Sequence, residues 1–493
     1  MTDALKWLRT SGPGVVDSGG TPVRLRGVGV GGWLNMENFI TGYPSTESAH
    51  RQALRTVLGA HRYEVFFDSF LTNFFGPPDA AFIASLGLNC VRIPVNYRHW
   101  EDDARPGEID ERGFAHLDRA VDACAAAGLY TVIDLHAAPG GQNHHWHSDN
   151  PFHKPLFWQH RAFQDRAVAL WEAIAARYAN RPEVAGYNVL NEPADSSGTA
   201  LVGFYRRAVA AIRAVDARHM VFLDGNRYAR EFPGFGEPFE NAVYAIHQYP
   251  EPGAADGGPY PGITGGRYVD RQAVESEFLS MTEYMRERDL PVWVGEFGPV
   301  YGAGPERDAQ RRRLLADQIA VYEAAGAGWS VWTYKDIGVQ GLVVVDPQSP
   351  WLRRTAAVRA KKNAVAADHW GMTTDGMRDV LEPVLTRFGR EFPGYDPYPF
   401  GARRYVEQLI LNICFAEPLA AEFAACFADA PDEELAALGE SFAFGRCGVA
   451  RDLCEVVSAA RRMAETAVVP GAQPAAPPGD SLSGTGGSRP PSP

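Results

Sequence analysis

Two glutamates close short apolar runs and are followed at once by residues that break a strand. Glu192 sits in Gly186-Tyr187-Asn188-Val189-Leu190-Asn191-Glu192-Pro193, and Glu296 in Val292-Trp293-Val294-Gly295-Glu296-Phe297-Gly298. Each run reads as a buried parallel strand. A carboxylate at the C-terminal end of a barrel strand points into the mouth where such barrels do chemistry. Two carboxylates facing each other there are the minimum equipment for cleaving a glycosidic bond, one giving and taking a proton while the other attacks carbon or activates water.

Other strand ends on the same rim carry polar or aromatic groups. Arg92 lies in Val91-Arg92-Ile93-Pro94, His136 in Asp134-Leu135-His136, and Asn191 immediately precedes Glu192. His247 and Tyr249 lie in His247-Gln248-Tyr249, and Trp332 in Val331-Trp332-Thr333. One or two such ends could be accident, but six in succession amount to a site. Asp134 reads as pointing away, into the barrel layers or towards a helix. The run His144-His145-Trp146-His147 has three readings: a metal-ligand set, a sugar-binding loop or a solvated loop. Lys335 and Asp336 read either as subsite contacts or as a structural pair.

The elements that must position these groups alternate along the chain. Eight short apolar strands are expected at 25–28, 90–94, 130–135, 184–190, 220–224, 243–247, 292–296 and 329–333. Between them lie amphipathic helical patterns, such as 114–127, 163–178, 199–215, 271–288 and 307–325, with apolar residues spaced by three and four. Eight β/α units predict a closed (β/α)8 TIM barrel, an α/β fold; an open doubly wound sheet is the alternative. That sheet would more often carry a Gly-rich phosphate loop after its first strand. Gly27-Val28-Gly29-Val30-Gly31-Gly32 is Gly-rich, but Trp33 follows where a helix should begin, so no nucleotide site is expected. Residues 15–25 predict an N-terminal hairpin around Gly19-Gly20. The barrel is expected over 1–345. Six helical patterns and no strand pattern follow over 346–467, and 468–493 is a Pro/Gly/Ser-rich tail expected to be disordered. The helical extension reads as a cover for one side of the barrel, or as a surface for a homo-oligomer.

Composition narrows the partners. With 45% hydrophobic and 22% charged residues over 493 positions, the chain can bury a large core. A formal net charge of −13 argues against nucleic acid and anionic membranes, and leaves a neutral carbohydrate open. No stretch approaches the roughly 20 apolar residues of a membrane span. The first twenty residues hold no signal-peptide run, so the cytoplasm is the expected compartment. The six cysteines show no CxxC spacing and read as reduced, mostly buried thiols.

Over roughly residues 15–340 the chain resembles glycoside hydrolase family 5, retaining (β/α)8 glycosidases, through the combination of Arg92-Ile93-Pro94, Leu135-His136, Asn191-Glu192-Pro193, His247-Gln248-Tyr249, Gly295-Glu296-Phe297-Gly298 and Trp332. Arg26 to Glu37, Leu135 to Asn143 and the nearby Asp149-Asn150 are similar to the exo-acting β-1,3-glucanases of that family. The helical extension and Phe297-Gly298 depart from those enzymes. The resemblance implies a double displacement with Glu296 as nucleophile and Glu192 as acid/base. It implies Arg92 and Tyr249 as partners of Glu296, Asn191 on the sugar 2-hydroxyl, His136 and His247 as orienting groups, and Trp332 as the floor under the sugar. Glu37 and Asp149 would grip the terminal sugar, with a helix-capping or solvated carboxylate as the other reading of each. No metal or other cofactor is expected, since the carboxylates supply both nucleophile and acid. The expected activity is exo-cleavage of β-glucosides or short β-glucans; an endo-β-glucanase or β-mannanase with an open cleft, and a non-catalytic sugar-binding barrel, are the alternatives.

Overall fold

The computed structural model describes residues 4–250, 258–264, 266–367, 370 and 374–467. Two strands, β1 (Leu8–Ser11) and β2 (Gly14–Asp17), form an antiparallel hairpin ahead of the barrel. The hairpin predicted around Gly19-Gly20 survives as a single bridge, Val16 to Pro22; the longer pairing lies one turn earlier, where Leu8 opposes Asp17. Then come the eight barrel strands: β3 (Arg26–Gly29), β4 (Cys90–Asn96), β5 (Tyr130–Ala137), β6 (Val184–Asn188), β7 (Met220–Asp224), β8 (Ala242–His247), β11 (Val292–Glu296) and β12 (Gly328–Val331). The strands between, β9 (Gly262–Thr264) and β10 (Arg267–Val269), make a small hairpin outside the barrel. The eight pair in parallel and close, β12 returning to β3 through Trp329–Arg26, Ser330–Gly27 and Val331–Val28.

Closure follows from which side chains face which layer. Cys90, Tyr130, Val132, Ala185, Met220, Phe222, Val243, Ala245 and Trp293 form an interior cluster that Leu8 of the hairpin joins. Their neighbours Val91, Ile133, Tyr187, Val221, Tyr244 and Val294 belong to the outer layer packed under the helices. This period-two alternation, buried on both faces, is why the strands read as continuous apolar runs.

One long helix anchors the C-terminal segment. Glu47–Phe74 starts at Thr46, whose side chain accepts from the Ala49 amide, and is interrupted at Gly59 (φ 72°). Its second half offers Tyr63, Phe66, Phe67, Phe70 and Phe74 at helical spacing to the C-terminal helices. Phe66 stacks on Trp351 at 5.5 Å and 6°, and Phe70 meets Phe442 edge-on at 5.0 Å. Full burial of each such ring stabilises by roughly 1.5–3 kcal/mol, so the helices 416–425 and 432–440 are held by an aromatic seam.

The C-terminal segment contains a strand, β15 (Cys447–Val449), which runs antiparallel to β14 (Val343–Val345); β14 in turn pairs with β13 (Lys335–Asp336), so that a small sheet joins the segment to the end of the barrel. The predicted 349–368 helix is two helices, Pro350–Arg354 and Ala356–Ala364. The run Gly401–Ala425 is long and apolar enough to cross a membrane by length and composition, against the sequence expectation; it contains a π-helical turn at Ile410–Phe415 and buries Leu411, Ala416, Leu419 and Phe423 in the protein. All six cysteines are free. The tail 468–493 lies outside the described residues.

Candidate active site

Glu192 ends its segment in a left-handed conformation, φ 46°, which a non-glycine residue adopts at a cost of roughly 1–2 kcal/mol. Two contacts hold it there. The Glu192 amide donates to Asp224 Oδ2 at 3.0 Å, and Asn143 Nδ2 donates to the Glu192 carbonyl at 2.9 Å. The carboxyl is thereby aimed at His247, whose Nδ1 lies 2.8 Å from Oε1, while Oε2 lies 3.3 Å from His147 Nε2.

Glu296 ends β11 where the register with β8 shifts, so that it pairs with His247. Gly295, inside that shift, leaves room for the histidine: a Cβ there would fall 2.8 Å from His247 Nε2 and force the ring to move. Arg92, fully buried, donates from Nη1 to Glu296 Oε1 at 2.7 Å, and Tyr249 Oη donates to Oε2 at 3.1 Å. The other Arg92 donors are spent on Asn191 Oδ1 (2.6 Å) and Asn188 Oδ1 (3.1 Å), with Asp134 Oδ2 at 3.1 Å from Nη2.

These surroundings push the two carboxyls apart. Burial raises Glu192, and the charge of Glu296 raises it further; the hydrogen bond from His247 opposes both without cancelling them. Burial would raise Glu296 too, but His247, Arg92 and His136 together outweigh it and hold that carboxyl well below the ordinary range. One group is set to keep a proton and its neighbour to lose one. Burial opposes the charging of His247, and Glu296, Asp224 and Glu192 overcome it, so this imidazole is raised. His147, by contrast, is driven down to about 3 by burial and by His136, and accepts from Asn143 Nδ2 at 2.8 Å.

A second constellation stands beside the first. His136 stacks on Trp332 at 5.5 Å and 3°, with Nδ1 2.7 Å from Asp134 Oδ2 and Nε2 3.4 Å from Glu37 Oε1. Burial opposes its protonation, but Asp134 and Glu37 hold it up at about 10. Burial pushes Glu37 up to about 7, with His136 opposing the rise. The glycine-rich first strand makes the bed for Trp332: a Cβ on Gly29 would fall 2.6 Å, and one on Gly31 2.5 Å, from the indole. Those glycines serve close packing, which no phosphate-loop reading anticipates.

These groups enclose a cavity of about 90 Å³. Glu37, Glu192, His247, Tyr249, Glu296 and Trp332 line it, as do His145, Trp146 and His147 of the histidine run. Arg92, His136 and Asn191 are buried behind the wall and touch the residues that form it. Asp149 is a correction. Its carboxylate accepts from the Ser48 amide, Asn96 Nδ2 and Arg98 Nε, at 2.8, 3.2 and 2.8 Å, and so fastens the loop instead of facing the cavity. Asp134 is the opposite correction, a buried support of both His136 and Arg92. Lys335 and Asp336 are structural: Lys335 Nζ donates to Asp79 Oδ1 and to the Phe74 and Phe442 carbonyls, and Asp336 accepts from four backbone amides, Gly338 to Gly341. Sequence reasoning missed Asp224 and Asn188, which brace Glu192 and Arg92, and missed Trp370, Phe400 and Arg404, which complete the cavity from the C-terminal segment.

An oxygen of Glu192, an oxygen of Glu296 and a ring nitrogen of His247 all lie within 4.8 Å of one another. Such a trio could hold a cation, but Arg92 already supplies positive charge 2.7 Å from Glu296, and a raised His247 supplies more. The arrangement is that of paired acid and base. A (β/α)8 barrel with one ionised and one proton-holding carboxyl face to face at its C-terminal mouth is the architecture of a glycoside hydrolase.

Comparison with known proteins agrees. Residues 72–337 match the family model described as cellulase, glycosyl hydrolase family 5. The chain is 44% identical over 458 residues to a protein of Phanerodontia chrysosporium named beta-xylosidase, covering 90% of this chain and 96% of that one. It is 28% identical over 370 residues to a probable glucan 1,3-beta-glucosidase A of Aspergillus niger, covering 64% and 84%. A solved endogalactoceramidase superposes with a TM-score of 0.51 at 18% identity, over 71% of this chain and 77% of that one, which speaks for the fold alone. The chain belongs to glycosyl hydrolase family 5.

Proposed function

We propose that this enzyme is a retaining, exo-acting β-glycosidase that removes one terminal gluco-configured sugar, a β-xylose or β-glucose residue, by double displacement. The observation that carries the reading is the proximity of the Glu192 and Glu296 carboxyls, with oxygens inside 4.8 Å of each other and of His247. Retaining enzymes hold their carboxyls about 5–5.5 Å apart, whereas inverting ones leave about 6.5–9.5 Å for a water.

In this reading Glu296, ionised by Arg92 and Tyr249, attacks the anomeric carbon. The bond to the leaving oxygen breaks as Glu192 gives that oxygen its proton. Glu192, now a carboxylate, takes a proton from water, and the resulting hydroxide character displaces Glu296 from the sugar. His247 donates to Glu192 in its anionic phase. Trp332 supplies the floor, and Glu37, lining the cavity beside His136, accepts from the ring hydroxyls; Asn191, fixed by Arg92 behind the wall, is the group next to Glu192 that would meet the 2-hydroxyl as the sugar seats.

The small cavity favours a chain end over an open cleft. Xylose and glucose share their equatorial ring hydroxyls and differ only in the hydroxymethyl at C5. The Phanerodontia relative, whose likeness extends over most of the chain, favours the pentoside, and the glucan glucosidases favour the hexoside. The test is a panel of aryl β-glycosides (xylose, glucose, mannose, galactose, fucose) with the first-formed anomer read by NMR. Retention and release of single xylose or glucose units are expected. Inversion, or mid-chain cuts in oligosaccharides, would refute the reading.

A further inference from the structure

The match to the family model ends at residue 337, yet two rings of the cavity wall come from beyond it. Trp370 stands edge-on to Tyr249, ring centres 5.0 Å apart at 87°, and 6.0 Å from Phe39. Its Nε1 donates to Gln340 Oε1 at 2.7 Å, and Gln340 Nε2 donates to the Gly298 carbonyl, two residues past Glu296. Phe400 covers the other side. It lies 5.1 Å from Tyr228 and 6.3 Å from His145, nearly parallel to the latter, with the Arg404 guanidinium 4.6 Å from its ring centre. Tyr228 in turn borders the Glu192 loop, its amide donating to the Pro193 carbonyl at 3.1 Å. One ring therefore backs the nucleophile side and the other the acid side.

We propose that Trp370 and Phe400 determine specificity: they are the outer wall that ends the site after one sugar, and Trp370 also positions Tyr249 against Glu296. The proposal rests on the exo reading above and deepens it, by assigning chain-end selectivity to the C-terminal segment. An aromatic side chain covers on the order of 150–250 Å², so removing either ring opens the wall of a cavity of about 90 Å³. A sugar that extends beyond the terminal unit would then have a path out. Tyr249, losing the ring it packs against, would hold its hydroxyl less firmly on Glu296, and a carboxylate with a weaker donor titrates higher.

The test uses the full chain and its Trp370→Ala and Phe400→Ala variants, with thermal melting to establish folding. Substrates are an aryl β-xyloside or β-glucoside, and a β-linked tetrasaccharide blocked at its non-reducing end by a bulky 4-O-ether. Wild type is expected to refuse the blocked tetrasaccharide. Each variant is expected to cut it internally, with products of two or more sugars by mass spectrometry, and to show a KM on the aryl glycoside raised about 10-fold or more. Trp370→Ala alone should also move the acid limb of kcat/KM upward, a shift that a merely structural role would not produce, and Trp370→Phe should restore it. If Trp370→Ala does not fold, Trp370→Leu and Phe400→Leu carry the same readouts. Folded variants that keep the wild-type KM and still refuse the blocked substrate overturn the proposal. Wild type cutting the blocked substrate would instead overturn the exo reading beneath it.

Discussion

Replacing Arg92 by Met should uncouple Glu296 from its low pKa. The guanidinium is fully buried, with Nη1 2.7 Å from Glu296 Oε1. At an effective dielectric of about 20 that contact is worth about 6 kcal/mol of gross attraction, much of it offset by the desolvation of both groups. A neighbouring guanidinium typically lowers a carboxyl by about 1–3 units, or roughly 1.4–4 kcal/mol. The acid limb of kcat/KM on an aryl β-glycoside should therefore rise by about 1–3 pH units in Arg92→Met. The sign for stability agrees. Glu296 is depressed in the folded state, so its contribution is present above the unfolded value and lost as pH falls through the folded one; in the variant the folded value lies closer to the unfolded one, so this loss is smaller and is complete at higher pH. Stripping one partner from a buried pair should also cost about 3–5 kcal/mol, read by urea unfolding at neutral pH. Arg92→Lys keeps the charge but not the fork that serves Glu296, Asn191 and Asn188 at once. Its acid limb should move by less than about one unit, although kcat falls. A folded Arg92→Met enzyme with an unmoved acid limb would refute the argument and leave His247 and His136 as sufficient to hold Glu296 ionised.

Four further outcomes are expected. Glu296→Ala should abolish turnover even with good leaving groups, whereas Glu192→Ala should still be glycosylated by them and then stall, giving a burst followed by a rate lower by about 10²–10⁴-fold; near-normal turnover in Glu296→Ala would remove it as nucleophile. Because Glu37 titrates near 7 and accepts sugar hydroxyls better when ionised, wild-type KM should fall as pH rises through about 7, and Glu37→Gln should flatten that dependence. Gly295→Ala should displace His247, lowering kcat with little change in melting temperature; an unchanged kcat would show that the ring has room to move. Lys335→Met leaves Asp79 and two carbonyls without their buried donor and should cost roughly 3–5 kcal/mol in urea unfolding, while aryl glycoside KM in the folded fraction stays as in wild type.

The barrel is legible in the sequence because its strands are buried on both faces, so each appears as an apolar run ended abruptly by a polar residue. Glu192, Glu296, His247 and Tyr249 emerge from those ends. Asp224 ends β7 in the same way but has no familiar motif around it; the strand-end rule applied without exception finds it. Asp149 misleads because sequence shows a carboxylate beside a loop but not the three donors that saturate it. Strand β15 is three residues long and exists only through its pairing with β14, about a hundred residues earlier. Trp370 and Phe400 belong to no helix or strand, and no local period announces their place in the cavity wall.

Lys335 puts an order into the making of this protein. Its ammonium is buried between Asp79, the Phe74 carbonyl and the Phe442 carbonyl, the last of these 107 residues downstream. A nascent chain that has emerged through Lys335 holds all eight barrel strands together with Glu192 and Glu296, yet lacks one of the acceptors that this charge needs. At roughly 5–20 residues per second, that interval lasts about 5–21 s. During it every barrel strand is present while this buried charge still waits for the Phe442 carbonyl, so the C-terminal segment is what completes its surroundings.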